Sequence, residues 1–156
     1  MSAIHVYLFL HVASAFVLVS AAAITMTLTV MLRKSRNTQA IAMLLGLRAR
    51  TMISGFIGAL GALIFGSLLA DKQALTNPGW IKASYITWFV MLVVFVIGFF
   101  ATRAARKVVK SELDAGHTES QAASDAVNKP MIMLPVMVVN VLILVFLYLM
   151  TFKPGM

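Results

Sequence analysis

The start of the chain constrains the fold most, because residues 1–32 contain no Asp, Glu, Lys or Arg. Further windows without these residue types cover 51–70, 83–102 and 130–152. Each window has room for a helix of about 20 residues, which crosses the hydrocarbon of a bilayer. Backbone in lipid must satisfy its own hydrogen bonds, so the windows predict helices. The sequence therefore predicts an all-α, polytopic membrane protein: one four-helix transmembrane domain with spans at about 4–32, 51–70, 83–102 and 130–152.

The composition also favours lipid as the solvent. Hydrophobic residues make up 61% of the chain and charged residues 12%, whereas soluble domains are about a quarter charged. Uncharged windows separate the basic residues that give the net charge of +8, so nucleic acid is not a predicted partner. The predicted partners are the bilayer and, through exposed helix faces, further copies of the chain or a larger membrane complex. The absence of cysteine excludes disulfides and thiolate metal sites.

Basic residues are unequally divided between the connections. Ten Lys and Arg residues lie in or beside the first and third loops, and three lie in the second loop and the C-terminal tail. Since basic loops stay in the cytoplasm, loops one and three are predicted to be cytoplasmic and both termini to face outward, N-out/C-out. The predicted location is the inner (plasma) membrane of a bacterium.

Turn-forming residues predict where the helices end. The stretch "TNPGW" at residues 76–80 predicts a turn, with Trp80 at the membrane interface. The third helix is expected to continue into the cytoplasm and to end at Gly116. The polar segment "HTESQAASDAVN" is expected to be mobile, followed by Asn128 as a helix cap and Pro130 in a first helical turn.

Small residues recur every fourth position in the second span. Such a stripe lets another helix approach closely, and a neighbour within the same chain is the favoured partner. The predicted packing residues are Ser54, Gly58, Ala62 and Gly66.

His11 is an ionisable residue within the first span. It shares a predicted inward-facing seam with Ser14, and Tyr7 lies one turn away on nearly the same face. Intramembrane ionisable residues suggest function, so His11 is a candidate axial ligand of a b-type haem, a copper ligand or a proton relay. The structural alternative, which we favour from the residues alone, is a neutral imidazole hydrogen-bonded inside the bundle to a threonine or a backbone carbonyl. Tyr7, Ser14 and, at a deeper level, Asn140 are its candidate polar neighbours.

A metal at His11 would need further ligands. His117 lies across the bilayer, and His5 points away from His11. A second ligand would therefore be a methionine, with Met91 and Met150 as candidates, or would come from another subunit. Haem accepts a His/Met pair and copper(I) accepts thioethers, but methionine also fills gaps in apolar packing.

Catalytic patterns are missing from the sequence. No window contains an acidic residue, and the chain has no phosphate-binding loop, Gly-x-Ser-x-Gly or His-Glu-x-x-His motif. The sequence therefore indicates a non-enzymatic or accessory membrane subunit.

The segments "FLHVASAFVLVSAAA" and "YLMTFKPG", with the basic first loop and glycine-rich second span between them, resemble the bacterial integral membrane proteins of domain of unknown function 2269. That family is four-helical and has no established activity. It is in turn distantly similar to copper-resistance D and haem-binding protoporphyrinogen oxidase membrane proteins, which also place a histidine early in a first helix. The resemblance implies that His11 could bind haem b or copper.

Overall fold

The computed structural model describes residues 3–73 and 79–153, which form five helices. Four of them are long and apolar enough to cross a membrane, with α5 and the short α4 together making the fourth membrane-spanning stretch. The prediction of an all-α four-helix membrane bundle is confirmed. The helices are α1 (Ala3–Lys34), α2 (Thr38–Lys72), α3 (Gly79–Asp114), α4 (Gln121–Asn128) and α5 (Pro130–Phe152).

The four long helices form a ring in which each packs on two neighbours, in the order α1, α2, α3, α5. Consecutive helices are antiparallel, and α1 and α2 are the most extensively packed pair. We call one end of the ring the tryptophan end, because both tryptophans of the chain, Trp80 and Trp88, lie in its half of α3. The other end, where α1 ends, α2 begins and α4 lies, is the basic end.

At the basic end, α4 covers a dense apolar core. Ala123 is completely buried and Val127 is nearly so, packed with residues of α1, α2, α3 and α5. The expectation of a mobile segment is therefore wrong, because its small apolar residues fall on one face of a helix that the bundle buries. This core comprises Leu32, Ile41, Leu45, Ala105, Val109, Ala123, Ala126, Val127 and Ile132.

Capping interactions fix the connections at this end. The φ of Gly116 is +79°, and the N–H groups of Gly116 and His117 bond the carbonyls of Leu113 and Glu112, as expected for a helix that a glycine ends. Pro130 occupies the first turn of α5, as predicted. Asn128 does not cap that helix, however, because it is the last residue of α4 and its amide donates to the Ser124 carbonyl.

The connection between α1 and α2 is much shorter than the distribution of basic residues suggested. Because α2 begins at Thr38, Arg48 and Arg50 are helical residues and not part of a loop. Arg48 is completely buried. In the predicted turn at 76–80, residues 76–78 lie outside the described residues.

Candidate functional site

The site is built on the seam between α1 and α2. A Cβ atom added at Gly58 would lie 2.7 Å from the backbone nitrogen of Leu18 and 2.9 Å from the backbone oxygen of Ser14. Real side chains do not approach backbone so closely, so glycine is what allows the two helices to meet here. The partner is the neighbouring helix α1 of the same chain.

Ser54 is the predicted packing residue that lies outside the seam. Its side chain is exposed, and its hydroxyl bonds the Arg50 carbonyl within α2. Gly55 is buried instead, where an added Cβ would lie 3.1 Å from Cβ of Ala21. A row of every fourth residue turns about 40° per step around a helix of 3.6 residues per turn, so the row leaves a straight contact face.

The His11 ring lies against α2 in the space that Gly66 leaves. A Cβ at Gly66 would be 2.9 Å from both Cε1 and Nδ1 of the imidazole. Nδ1 is 2.8 Å from the Ala62 carbonyl oxygen. A carbonyl oxygen can only accept, so Nδ1 carries a proton. In a neutral imidazole with this tautomer, Nε2 is the acceptor. Gly66 and Ala62, both predicted packing residues, thus set the position and the tautomer of His11.

The polar partner of His11 is not one of the side chains that the sequence suggested. Ser14 packs against Gly58 and Gly61, and the Asn140 amide donates to the Val136 carbonyl of its own helix at 2.8 Å. The partner is a backbone carbonyl, which was one of the two partners considered for a structural histidine. It was not identifiable from side-chain types, since every residue carries a carbonyl.

A cavity of about 200 Å³, the His11 cavity, opens beside this imidazole and is lined by residues of all four long helices. Its aromatic wall is held by two interhelical hydrogen bonds: the Trp88 indole N–H donates to the Ala59 carbonyl at 3.2 Å, and the Tyr85 hydroxyl donates to Oγ of Ser67 at 2.9 Å. The wall also includes Leu147, which is 54% exposed, so the cavity reaches the lipid-facing surface of the bundle.

The predicted ligand candidates divide into two groups. His11, Met91 and Met150 all line the cavity, as do Ala62 and Gly66, whereas Tyr7 and Ser14 are not part of its wall. The structure thus joins residues from α1, α3 and α5 that are far apart in the sequence.

The two methionines lie at different depths. The Lys153 ammonium is 5.9 Å from the centroid of the Trp80 ring, so the end of α5 is level with the start of α3. Counted from that level at 1.5 Å per residue, Met91 is about 16 Å and Met150 about 4 Å into the bundle. Metal–ligand bonds are about 2–2.5 Å long, so one ion on His11 cannot also bind both thioethers.

Neither haem nor a multidentate metal centre fits the described residues well. Residues 3–73 and 79–153 contain no group of three His, Cys, Asp or Glu side chains placed to hold a metal. A cavity of about 150 Å³ accommodates benzene, and a haem macrocycle is several times larger than a benzene ring. The His11 cavity therefore fits one substituted ring and not a porphyrin.

Arg48 is the polar residue that the loop assignment missed. Its Nη2 donates to the Ile132 carbonyl of α5 at 3.0 Å, from a side chain with no exposed surface. The spacing of a buried helix face could have revealed it. Steps of four, three, four and three join Ile41, Leu45, Arg48, Met52 and Gly55.

Comparison with protein-family models, curated proteins and solved structures finds no match for the chain. The fold itself defines the class, a multi-pass membrane protein whose four long helices surround a cavity near one end.

Proposed function

We propose that the chain is a non-enzymatic integral membrane protein that binds a small lipid-soluble molecule in the His11 cavity. The observation that carries the proposal is the imidazole itself. Its Nδ1 proton is committed to the Ala62 carbonyl, and the ring lies in the wall of a cavity enclosed by four spans. A preset acceptor in an apolar cavity selects a ligand that brings a hydrogen-bond donor.

The size and composition of the cavity narrow the ligand class. At about 200 Å³, it exceeds the roughly 150 Å³ that accommodates benzene. Trp88, Tyr85 and Phe146 supply aromatic surface for stacking. The favoured ligand is a single aromatic ring with a hydroxyl group, entering from the bilayer.

The absence of acidic residues from the cavity wall supports a binding role. Among the described lining residues, His11 and Tyr85 are the titratable side chains. Acid–base chemistry commonly uses a second charged partner, which the described part of this wall does not supply.

Tryptophan fluorescence provides the test, because both tryptophans line the cavity and the chain has no others. In lipid nanodiscs, para-bromophenol should quench the emission saturably, since its ring carries both a heavy-atom quencher and a hydroxyl donor. Bromobenzene, which lacks the hydroxyl, should bind more weakly.

The matched variant is His11→Leu, which removes the acceptor and keeps a similar side-chain volume. The preference for para-bromophenol over bromobenzene should disappear in it. Linear, non-saturable quenching that is the same for both compounds would contradict the proposal, because it would show partition into lipid alone.

A haem-binding or copper-handling role for His11 is the competing proposal. Its support is the hydrogen bond from Nδ1 to a carbonyl, since metal-ligating imidazoles are usually oriented in this way. A visible spectrum of the purified protein detects haem, and metal analysis detects copper, because copper(I) is colourless. A Soret band that His11→Ala removes would establish haem, as the resemblance to domain of unknown function 2269 and its distant relatives suggests.

The orientation is also part of the proposal. The ten-to-three division of basic residues supports cytoplasmic first and third loops, both termini outside, and a bacterial inner membrane. A reporter that is active only in the cytoplasm should stay dark when fused after Met156 and should be active when inserted after Gly116. The reverse pattern would overturn the orientation.

A further inference from the structure

The wall of the His11 cavity includes an exposed apolar residue on each of two neighbouring helices. Val19 of α1 is 42% exposed, and Leu147 of α5 is more than half exposed. A residue that lines a cavity and is also exposed lies where the cavity meets the surrounding lipid. The position of each residue around its own helix shows which pair of helices the cavity opens between.

Leu147 lies on the side of α5 that is turned away from α3. A Cβ atom added at Gly98 of α3 would be 3.2 Å from Cβ of Pro135, so Pro135 faces α3. Leu149 follows Pro135 by about four helical turns, lies on nearly the same face and is buried. Leu147 points about 120° away from Pro135 around the helix. Because Leu147 lines the cavity inside the ring, this direction is the α1 side of α5.

Val19 lies on the side of α1 that is turned away from α2. Ser14 and Ala21 face α2, because Cβ atoms added at Gly61 and Gly55 would be 3.0 Å and 3.1 Å from their Cβ atoms. Val19 points about 140° away from Ser14 around the helix. Since Val19 also lines the cavity, it lies on the α5 side of α1. Val19 and Leu147 therefore border the space between α1 and α5, which we call the α1–α5 gap.

The other pairs of neighbouring helices close the cavity more tightly. Tyr85 is exposed too, but its hydroxyl bonds Ser67, and the Trp88 indole bonds the Ala59 carbonyl, so two hydrogen bonds bridge α2 and α3. The α1–α2 seam is closed by direct contact, and α3 and α5 bury Leu149. Helices α1 and α5 are the least extensively packed neighbours in the ring.

We propose that the His11 cavity takes the ring of an alkylphenol lipid through the α1–α5 gap, with the hydrocarbon chain of the ligand left in the bilayer. This ligand class rests on the proposed function, the binding of a ring with a hydroxyl group, and adds the chain and the route. A cavity of about 200 Å³ has room for a substituted ring but not for a long chain as well. At the gap, the chain exchanges contacts with lipid for contacts with Val19 and Leu147, which are equally apolar.

The test is a series of phenols that differ in chain length and compete with para-bromophenol for the full-length protein in nanodiscs. Para-ethylphenol, para-hexylphenol and para-dodecylphenol should each restore the tryptophan emission that para-bromophenol quenches. Expressed per lipid, their half-maximal concentrations should be equal, because the chain stays in lipid before and after binding. A cavity closed to the bilayer would be overpacked by the longer chains, which would weaken their binding about tenfold or more.

Two valine substitutions on α1 test the α1–α5 gap itself. Val19→Phe narrows it and should weaken para-dodecylphenol several-fold more than para-ethylphenol. The matched control is Val17→Phe, because Val17 is 43% exposed and is not part of the cavity wall. That variant should bind the whole series as the parent does. If Val19→Phe fails to fold, the chain-length series in the parent decides the question.

Binding that weakens as the chain lengthens in the parent would overturn the proposal, because the cavity would then be closed to the bilayer. Equal effects of Val19→Phe and Val17→Phe on para-dodecylphenol would also overturn it, because the chain would then leave by another route. Both results keep the saturable quenching by para-bromophenol. They are therefore distinguishable from a failure of the proposed function, in which that quenching is itself absent.

Discussion

The two ends of the bundle use the same four long helices but are packed differently. At the basic end, α4 seals a core in which Ile41, Leu45 and Ala123 have no exposed surface. At the tryptophan end, the described part of the chain has no counterpart of α4, and the helices leave the His11 cavity between them. Helix α4 thus accounts for the difference: one end is built for stability, and the other retains space for a ligand.

The largest expected effect comes from truncating one isoleucine to alanine at each end of the bundle. Ile41→Ala should cost about 2–5 kcal/mol of unfolding free energy, because it leaves a hole in a packed core. Ile143→Ala should cost clearly less, since Ile143 already borders the His11 cavity and loses fewer contacts. Reversible unfolding in detergent measures both. Equal losses would show that the two ends are packed alike.

A second pair of substitutions tests the α1–α2 seam, which runs through both ends. Gly58→Ala should cost about 1–3 kcal/mol, because the added methyl meets the backbone of Leu18 and Ser14. An added Cβ at Gly46, nearer the basic end, would have no atom within 4 Å. Gly46→Ala should therefore gain up to about 1 kcal/mol from helix propensity. A neutral Gly58→Ala would show that the seam can open without loss.

The smallest expected effect concerns Glu112, whose hydrogen bonds lie between the end of α3 and the start of α4. The Ser120 hydroxyl and the His117 imidazole bond the Glu112 carboxylate, at 2.7 and 2.9 Å, and lower its pKa below the usual value. A lowered pKa stabilises the fold above the ordinary carboxyl pKa of about 4.5, and that stabilisation is lost as the pH falls through the value in the folded protein. On acidification below about pH 4.5, the NMR signal of the Ala123 methyl should shift as Glu112 takes up its proton, because Ser120 bonds both the Glu112 carboxylate and the Ala123 N–H.

Glu112→Gln is the matched control for this titration, because the amide keeps the shape and cannot ionise. In that variant this shift of the Ala123 methyl signal should be absent. A shift of the same size in the variant would assign it to another group.

How much the sequence could predict differs between the ends for a physical reason. The four spans follow from windows without charge, since lipid excludes charged residues along a whole helix. Gly58 and Gly66 follow from the spacing of small residues. The folding of the segment that contains Ala123 could not be foreseen, because its polar composition resembles a solvated loop and its few apolar residues gain stability only against the finished bundle.

The candidate site shows the same division. His11 stood out because it is ionisable and lies in an uncharged span. Its partner, the Ala62 carbonyl, could not be identified, since the register of α1 against α2 decides which carbonyl it meets. Arg48 was hidden by its basic neighbours, although its position on an apolar helix face was visible in the sequence. His11 could be found from its residue type alone, whereas Arg48 could be found only from the periodicity of its helix.

Xenon binding distinguishes a sealed end of the bundle from an open one. Xenon enters preformed apolar cavities, and crystals grown from lipid and exposed to the gas would locate it. We expect xenon density in the His11 cavity, between Trp88 and Phe146, and none in the core around Ile41 and Ala123. An empty His11 cavity, or xenon bound equally in the basic-end core, would contradict it.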